Sequence, residues 1–553
     1  MTLPIEYGNS FSQTQPSETR PRWKTFRTLL GFFGLIVLFV ALRWNSYDVP
    51  LTRDEGEYAY SAWLLKQGIA PYQNSFLQKP PMAVYTYCLA ELVAPRTVWF
   101  PHIVADIFTA LSTLLLGAIA RREFGDGFGM IAMWLVTPMI LLPHLAQFRA
   151  DTEVFLLLPL LGVVAIFVFA RKRNQGWHWF CAGFLAATAL LYKFTIFPIL
   201  LFVILVWSYE EWKVHGPAVV LKRWLDYTVG GLIACGLALA FFLKADGGRS
   251  LWNCVIVFNR YYSISDQFQL SMWRDRLEIF WSAWWILFLL PLIFLWKRPP
   301  RIWLWLALTA TAFASTYGSF YAHYYVPVIP FWALVSTGTI KAIVSCFPAG
   351  FPLATARIRG LATAITLTLI CLADAPVITL TKHEFQAQVY PFADSTVVAQ
   401  KLAELTSSHD RVLVAGSEPQ ILYYARRLSS TRFVLMYPLM IPTPLAERYQ
   451  QEAIHEVEEK LPAAIVCVQP NQSWLWQPSS PPDFQDFLLK LLRSDYQLVG
   501  GYVWIGKKGW QAPLPPAKTG NCSLLLFKRV SHNETKQSGG LGLGTNSISQ
   551  SKR

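Results

Sequence analysis

Apolar runs long enough to cross a bilayer recur along the first two thirds of this chain, separated by short polar stretches. They fall near residues 26–43, 101–120, 128–146, 152–170, 177–192, 194–208, 227–243, 277–296, 302–318, 326–344 and 361–379, which predicts about eleven transmembrane helices. The apolar segment Met82–Ala94 lies between prolines and is too short to span ~30 Å of hydrocarbon, so it is expected to lie in the interface as an amphipathic helix. Residues 44–100 then form one large outer loop. Beyond residue 380 the pattern changes. Strands are predicted at Arg411–Ala415, Phe433–Leu435, Ala464–Val468 and Leu524–Val530. Helices are predicted at Pro419–Arg426, Leu445–Lys460 and Phe484–Leu492. Alternating strands and helices imply a small α/β domain over 380–530, followed by a disordered tail at 531–553.

Composition agrees with this reading. Of 553 residues, 54% are hydrophobic and 15% charged, and mean hydropathy is +0.33. A soluble chain would carry about a quarter charged residues. The formal net charge of +14 resides in short loops between apolar runs: Arg121-Arg122, Arg171-Lys172-Arg173, Lys213 with Lys222-Arg223, Lys297-Arg298 with Arg301, and Arg357 with Arg359. All fall on the side of the basic tail 1–25, the pattern of cytoplasmic loops. Nucleic-acid binding is therefore not indicated, since no soluble basic face exists to support it. An odd number of spans puts the α/β domain outside the cytoplasm. Among eight cysteines no CxxC pair or metal-ligand spacing occurs; Cys467 and Cys522 could pair if their domain is extracytoplasmic.

The polar residues that stand out all face the outer side. Leu51-Thr-Arg-Asp-Glu-Gly-Glu-Tyr-Ala-Tyr60 and Gln78-Lys-Pro-Pro-Met82 place acids, a lysine and tyrosines in one loop at a membrane surface. Sugar transfer from a lipid phosphate needs a base for the acceptor proton, cations for the departing phosphate, and reactants held in line. Asp54 and Glu55 are the base candidates, and as helix neighbours they do not share a face. A solvated loop acid is the plain alternative. Lys79 could bind phosphate as a point charge or merely snorkel. Asp151, in Arg149-Ala-Asp151, reads as a second acid of the site or as a helix N-cap. Lys193 interrupts an apolar stretch, a functional signal unless it snorkels. Asp106 reads as a partner for a neighbouring helix. His323 and Tyr324, in Ser319–Tyr325, supply donors that suit a phosphate, or an interfacial aromatic belt.

These motifs resemble the GT-C fold glycosyltransferases, with bacterial protein O-mannosyltransferase-like proteins and the lipid A aminoarabinose and core-sugar transferases as the nearest branches. The matching pieces are Asp-Glu-Gly-Glu-Tyr at 54–58, Lys-Pro-Pro at 79–81, Ala-Arg-Arg-Glu-Phe-Gly at 120–125, Arg-Ala-Asp at 149–151, Tyr-Lys-Phe-Thr at 192–195 and His-Tyr-Tyr at 323–325. The resemblance implies an inverting transfer from a polyprenyl-phosphate sugar to a glycan, lipid or protein acceptor outside the cytoplasm, in a bacterial inner membrane. It makes Asp54, Glu55 and Asp151 the catalytic acids. Lys79, Tyr58, Arg149, Lys193, His323 and Tyr324 become substrate-binding residues. It requires no cofactor and leaves room for a divalent cation. Gln78 stands where the aminoarabinose branch often has an acid, which argues against that sugar and against metal assistance. A flippase of lipid-linked substrates would show paired, broken helices, and no repeat is visible. A non-catalytic anchor for the C-terminal domain would tolerate loss of charge at Asp54, Lys79 and Asp151.

Overall fold

The computed structural model describes residues 22–142, 149–171, 175–244, 247–265, 290–316, 322–347, 352–372, 394–469, 471–504 and 508–530, with a few isolated positions between. Most of the expected 277–296 span, the 319–321 part of the aromatic loop, Lys172 and Arg173, the end of the 361–379 span and both terminal tails lie outside these residues.

Each other expected span coincides with a helix. They are α1 (Arg22–Arg43), α4 (Trp99–Phe124), α5 (Phe128–Leu141), α6 (Thr152–Phe155) running into α7 (Leu157–Ala170), α8 (Gly176–Leu190), α9 (Phe197–His215) and α10 (Pro217–Lys244). Helices at Ile302–Ala314, Ile329–Val344 and Pro352–Leu372 follow. Among the described residues five helical segments are long and apolar enough to cross a membrane, and α1, α5 and Ile302–Ala314 are shorter apolar helices. Lipid-facing surfaces are evident: α10 exposes Leu221, Leu225, Leu232 and Leu237. Small residues let helices touch. Gly183 of α8 lies against the Tyr227 carbonyl of α10, and Gly230 of α10 against the Phe180 carbonyl of α8, so any side chain would push the pair apart.

The basic loops share one end of the bundle. Arg301 reaches Glu123 at the end of α4 (2.9 Å) and Glu210 of α9 (3.1 Å), and Arg171 also pairs with Glu210 (2.8 Å). At the opposite end the segment between α1 and α4 folds into two helices, α2 (Arg53–Lys66) and α3 (Met82–Val93), packed on each other. On them sits the α/β domain. Its sheet has the order β2-β1-β3-β6-β4-β5, built from β1 (Arg411–Ala415), β2 (Leu428–Ser429), β3 (Ala464–Val468), β4 (Tyr496–Val503), β5 (Gly509–Gln511) and β6 (Cys522–Arg529). β1 is parallel to β2 and β3; β6, β4 and β5 are added antiparallel.

Two sequence expectations need correction here. Phe433–Leu435 is not a strand. Its apolarity comes from packing: Phe433 stacks on Phe76 of the outer loop, centroids 5.4 Å apart. Cys467 and Cys522 are both free and buried. They stand on β3 and β6, where Cys467 is in register with Leu525 instead.

The domain is docked firmly. Arg53 Nε donates to the Ser417 carbonyl (3.1 Å), Leu51 N–H to the Tyr424 hydroxyl (2.9 Å), and Ser429 N–H to the Tyr60 hydroxyl (2.9 Å). Gly56 permits a close approach, since a Cβ there would lie 2.5 Å from the Gln420 nitrogen.

Candidate active site

The start of α2 organises the site. Thr52 and Glu55 form a capping box: Thr52 N–H and Oγ1 both donate to Glu55 Oε2 at 2.9 Å. The other carboxylate oxygen, Oε1, meets His102 Nε2 of α4 at 2.9 Å and accepts from Ala150 N–H at 2.7 Å. Glu55 is fully buried and joins three chain segments. Burial alone would raise its carboxyl, but His102 and the bonds from Thr52 and Ala150 hold it down at about 2. Glu55 thus stays ionised with both oxygens occupied.

Asp54 points elsewhere. It is half-buried and accepts no hydrogen bond among the described residues. Burial works against its charge; Lys79, with His323, Arg149 and Arg53, outweighs burial and holds the carboxyl well below the usual carboxylate range. Lys79 is itself buried. Its Nζ donates to the Tyr58 hydroxyl at 2.8 Å and lies 5.2 Å from that ring's centroid. Despite burial, which lowers it, the lysine is pushed well above its ordinary value by Asp54 and its neighbours, so it remains an ammonium. The Tyr72 hydroxyl donates to the Lys79 carbonyl (2.9 Å) and fixes the backbone there.

Asp151 occupies the N-cap position of α6 but makes no side-chain cap bond. Both its oxygens are buried without a partner among the described residues. Burial is the main influence on it; Asp54 and Glu55 add repulsion, Arg149 opposes, and the carboxyl lies well above the usual range. The two neighbouring acids are thus pushed apart, Asp54 toward the carboxylate and Asp151 toward the protonated form, the split that separates a base from a hydrogen-bond donor.

On the far side Lys193 is buried, pairs with Glu153 and stands 3.1 Å from the Tyr324 ring centroid. His323 Nε2 lies 3.7 Å from Glu153 Oε1, and its ring is 4.8 Å from that of Tyr324. Burial brings Lys193 down to about 8; Glu153 resists, and the nearby Lys79 charge assists. Asp106 is apart from all this, paired with Arg43 of α1 at 2.7 Å.

The structure thus brings Asp54, Tyr58, Lys79, Arg149, Asp151, Lys193, His323 and Tyr324 into one electrostatically linked group, while Glu55 turns away to hold the scaffold. Sequence reasoning missed Glu153, His102, Glu57 and Tyr437. Glu153 and Glu57 carried a signal, each being a further acid beside one already singled out. Tyr437 carried none, since it arrives from the α/β domain. Among the described residues no three His, Cys, Asp or Glu side chains converge as a metal-holding group.

Fold and site together define a polytopic membrane protein with a charged site at one end, roofed by an α/β domain. Residues 78–242 match the family described as dolichyl-phosphate-mannose-protein mannosyltransferase. The structure resembles that of ArnT from Cupriavidus metallidurans bound to undecaprenyl phosphate, with a TM-score of 0.61 and 14% identity, over 94% of this chain and 100% of that one. The same protein in its apo state gives a TM-score of 0.56 at 13% identity, with the same coverage. The shared feature at such identities is the fold, which is of the GT-C type. No curated protein sequence matches the chain.

Proposed function

We propose that this protein is an inverting glycosyltransferase that moves a sugar from a polyprenyl-phosphate donor to a hydroxyl on the outer side of a bacterial inner membrane. The α/β domain shares that side, and the N-terminus is cytoplasmic. The observation that carries this reading is Asp54: a half-buried, ionised carboxylate left unbonded by the described residues, beside a buried Lys79 ammonium and an unpartnered Asp151. The ArnT likeness supports the donor class, because the related structure holds undecaprenyl phosphate.

In this reading the acceptor oxygen gives its proton to Asp54 and attacks the anomeric carbon. The bond from that carbon to the phosphate oxygen breaks, and its electron pair leaves with the phosphate. Lys79, aimed by Tyr58, takes up the departing charge. Arg149 and the Lys193–His323–Tyr324 side offer further donors. Asp151, kept neutral, donates a hydrogen bond that orients acceptor or donor.

A carboxylate held so low is a weak base. Donor binding remedies this: once the phosphate engages Lys79, the charge that stabilises Asp54 is shared, and the carboxylate becomes more basic. Donor should therefore bind first. No step needs a metal, since Lys79 and its neighbours supply the positive charge.

The test compares cell-envelope lipids and glycans by mass spectrometry in cells carrying wild-type protein, none, or Asp54→Asn. A mass increment present with wild type and lost with Asp54→Asn, while the variant protein persists in the membrane, is expected. In vitro the transfer rate should fall by ~10²–10⁴-fold. Wild-type transfer by Asp54→Asn would remove Asp54 from the mechanism and return the chain to the anchor reading.

A further inference from the structure

Lys79 is carried by residues 72–79, an irregular strap between α2 and α3. A cation on such backbone meets a phosphate at a set place only if the backbone is itself fixed. Both peptide groups that flank the Lys79 Cα are held by side chains. The Gln78 carbonyl accepts from Asn259 Nδ2 at 2.7 Å, and the Lys79 carbonyl accepts from the Tyr72 hydroxyl at 2.9 Å. Peptide planes are rigid, so holding both fixes φ and ψ of Lys79 and the direction in which its stem leaves the chain. Tyr72 does this from the left-handed region, at φ 67°, a conformation that a bulky side chain rarely adopts and that marks a constrained segment.

Asn259 reaches Gln78 from 181 residues away along the chain. It follows a π-helical turn, Asn253–Val257, set between the helices Gly248–Trp252 and Phe258–Ser265. In that turn the Phe258 N–H reaches back to the Asn253 carbonyl, five residues instead of four. The extra residue rotates everything after it by about 100° relative to a regular helix, and this rotation brings Asn259 onto the strap. Asn259 Nδ2 gives its other hydrogen to the Val255 carbonyl at 2.8 Å. Carbonyls only accept, so the amide nitrogen must be the group that faces both. The turn is pinned in its own right. Cys254 Sγ lies 3.9 Å from the Tyr72 carbonyl and 3.6 Å from Arg432 Nη1, and the Arg432 carbonyl accepts from Phe76 N–H at 2.6 Å. Turn, strap and α/β domain therefore meet within a few residues of Lys79.

We propose that Asn259, swung onto the Gln78 carbonyl by the π-helical turn, is a positioning residue for Lys79 and so a determinant of affinity for the donor phosphate. This rests on the reading of Lys79 as the phosphate ligand. Asn259 acts through the Gln78–Lys79 peptide and not by contact with the phosphate. The plain alternative is an asparagine that merely ties two segments together, and it predicts a loss that does not depend on Lys79.

The experiment measures binding of undecaprenyl phosphate and of undecaprenol, which lacks the phosphate, to full-length protein in detergent. Its readout is the ratio of the two affinities. In Asn259→Ser the hydroxyl can keep the bond to the Val255 carbonyl one turn back but cannot also serve Gln78. That variant should lower the ratio by about tenfold, the upper range for one lost hydrogen bond, with undecaprenol binding unchanged. In a Lys79→Ala background the same substitution should change the ratio by less than about twofold, because the group it positions is gone. Should Asn259→Ser fail to fold, Asn259→Leu, which keeps the volume and has no donor, carries the same comparison. An unchanged ratio in the Asn259 variant would overturn the proposal, as would an equal loss with and without Lys79. Lys79→Ala alone separates the two readings: if its ratio equals that of the wild type, the donor-site reading itself fails.

Discussion

Two sets of buried acids meet at the same end of this molecule, and they are treated in opposite ways. Glu55 and Glu91 have their oxygens filled by protein. Glu91 Oε2 accepts from the Tyr423 hydroxyl (2.7 Å), Arg426 Nη2 (2.9 Å) and Arg96 N–H (3.2 Å), and Lys66 stands 3.7 Å from Oε1. Each ties together segments distant in sequence: Glu55 joins α2 to α4 and to Ala150, and Glu91 joins α3 to the α/β domain. Asp54, Glu57 and Asp151 sit a few residues from those clamps, and the described residues leave their oxygens unfilled. A buried carboxylate with its lone pairs used is structural, and one with them withheld is kept for something that arrives later. Identical chemistry on adjacent residues, Asp54 and Glu55, is divided by one step of a helix.

The comparison breaks most readily at its most charged point. Lys79→Ala should lower transfer by about 10²–10³-fold, the usual effect of deleting a group that stabilises a departing anion. Thermal unfolding should change little by comparison, because Asp54 gains freedom to face water. A variant that loses both folding and transfer would move Lys79 to the structural set. Glu55→Ala should do the reverse. Removing one partner of a buried, bonded charge costs about 3–5 kcal/mol, so the protein should unfold at a clearly lower temperature in detergent. Glu91→Ala should follow it, with limited proteolysis between α3 and the α/β domain as the more direct readout. If Glu55→Ala melts normally yet is inactive, the division drawn between it and Asp54 fails.

Much of the site was legible in the sequence, for a physical reason. Charges inside or beside apolar runs are too costly to retain without use, so Asp54, Lys79, Asp151 and Lys193 stand out against their surroundings. What could not be read was partnership. Thr52, three residues earlier, announces half of what sets Glu55 apart from Asp54 as a capping box; the other half comes from His102, 47 residues later, and the Ala150 amide, 95 residues later. Tyr437 reaches Glu57 from another domain, and no local pattern announces that. In the α/β domain, β1, β3 and β6 were visible as continuous apolar runs. β4 was not, because Gly500 and Gly501 interrupt its alternation at a register shift against β6. Phe433–Leu435 misled in the other direction: its apolar run answers the aromatic face of Phe76, not a sheet.

The docking of the two regions supplies a gentler test. Gly56→Ala adds one methyl group against the Gln420 backbone, where a Cβ has no room. Overpacking of this kind costs about 1–3 kcal/mol, so a modest drop in melting temperature is expected. If the α/β domain only shields the site, transfer should fall little below the melting point. If it also shapes the site beneath it, affinity for undecaprenyl phosphate should weaken in Gly56→Ala even where the protein is fully folded. Unchanged stability and unchanged affinity together would mean that the domains do not bear on each other at this contact.

The smallest expected effect is on pH dependence, and it tests both sets of groups at once. Asp54 is held below the usual carboxylate range in the free enzyme, so it stays ionised as pH falls through that range, and the acid limb of kcat/KM should lie lower than an ordinary aspartate would give. Donor binding draws on Lys79 and raises Asp54, so the acid limb should move upward between free enzyme and donor complex, separating the profiles of kcat/KM and kcat. Lys193 sets the alkaline side. Its ammonium is lowered to about 8, so its charge is present below that pH and lost as pH rises through it, leaving Glu153 without its cation. Transfer should decline there, not near the ordinary lysine value. Lys193→Arg keeps the charge at every accessible pH and should carry the decline upward, at some cost in rate because the larger guanidinium must enter a buried site that holds an ammonium between Glu153 and the Tyr324 ring. A decline near pH 8 that survives Lys193→Arg would not belong to Lys193, and the Lys193–Glu153 pair would then stand with Glu55 and Glu91 as scaffold.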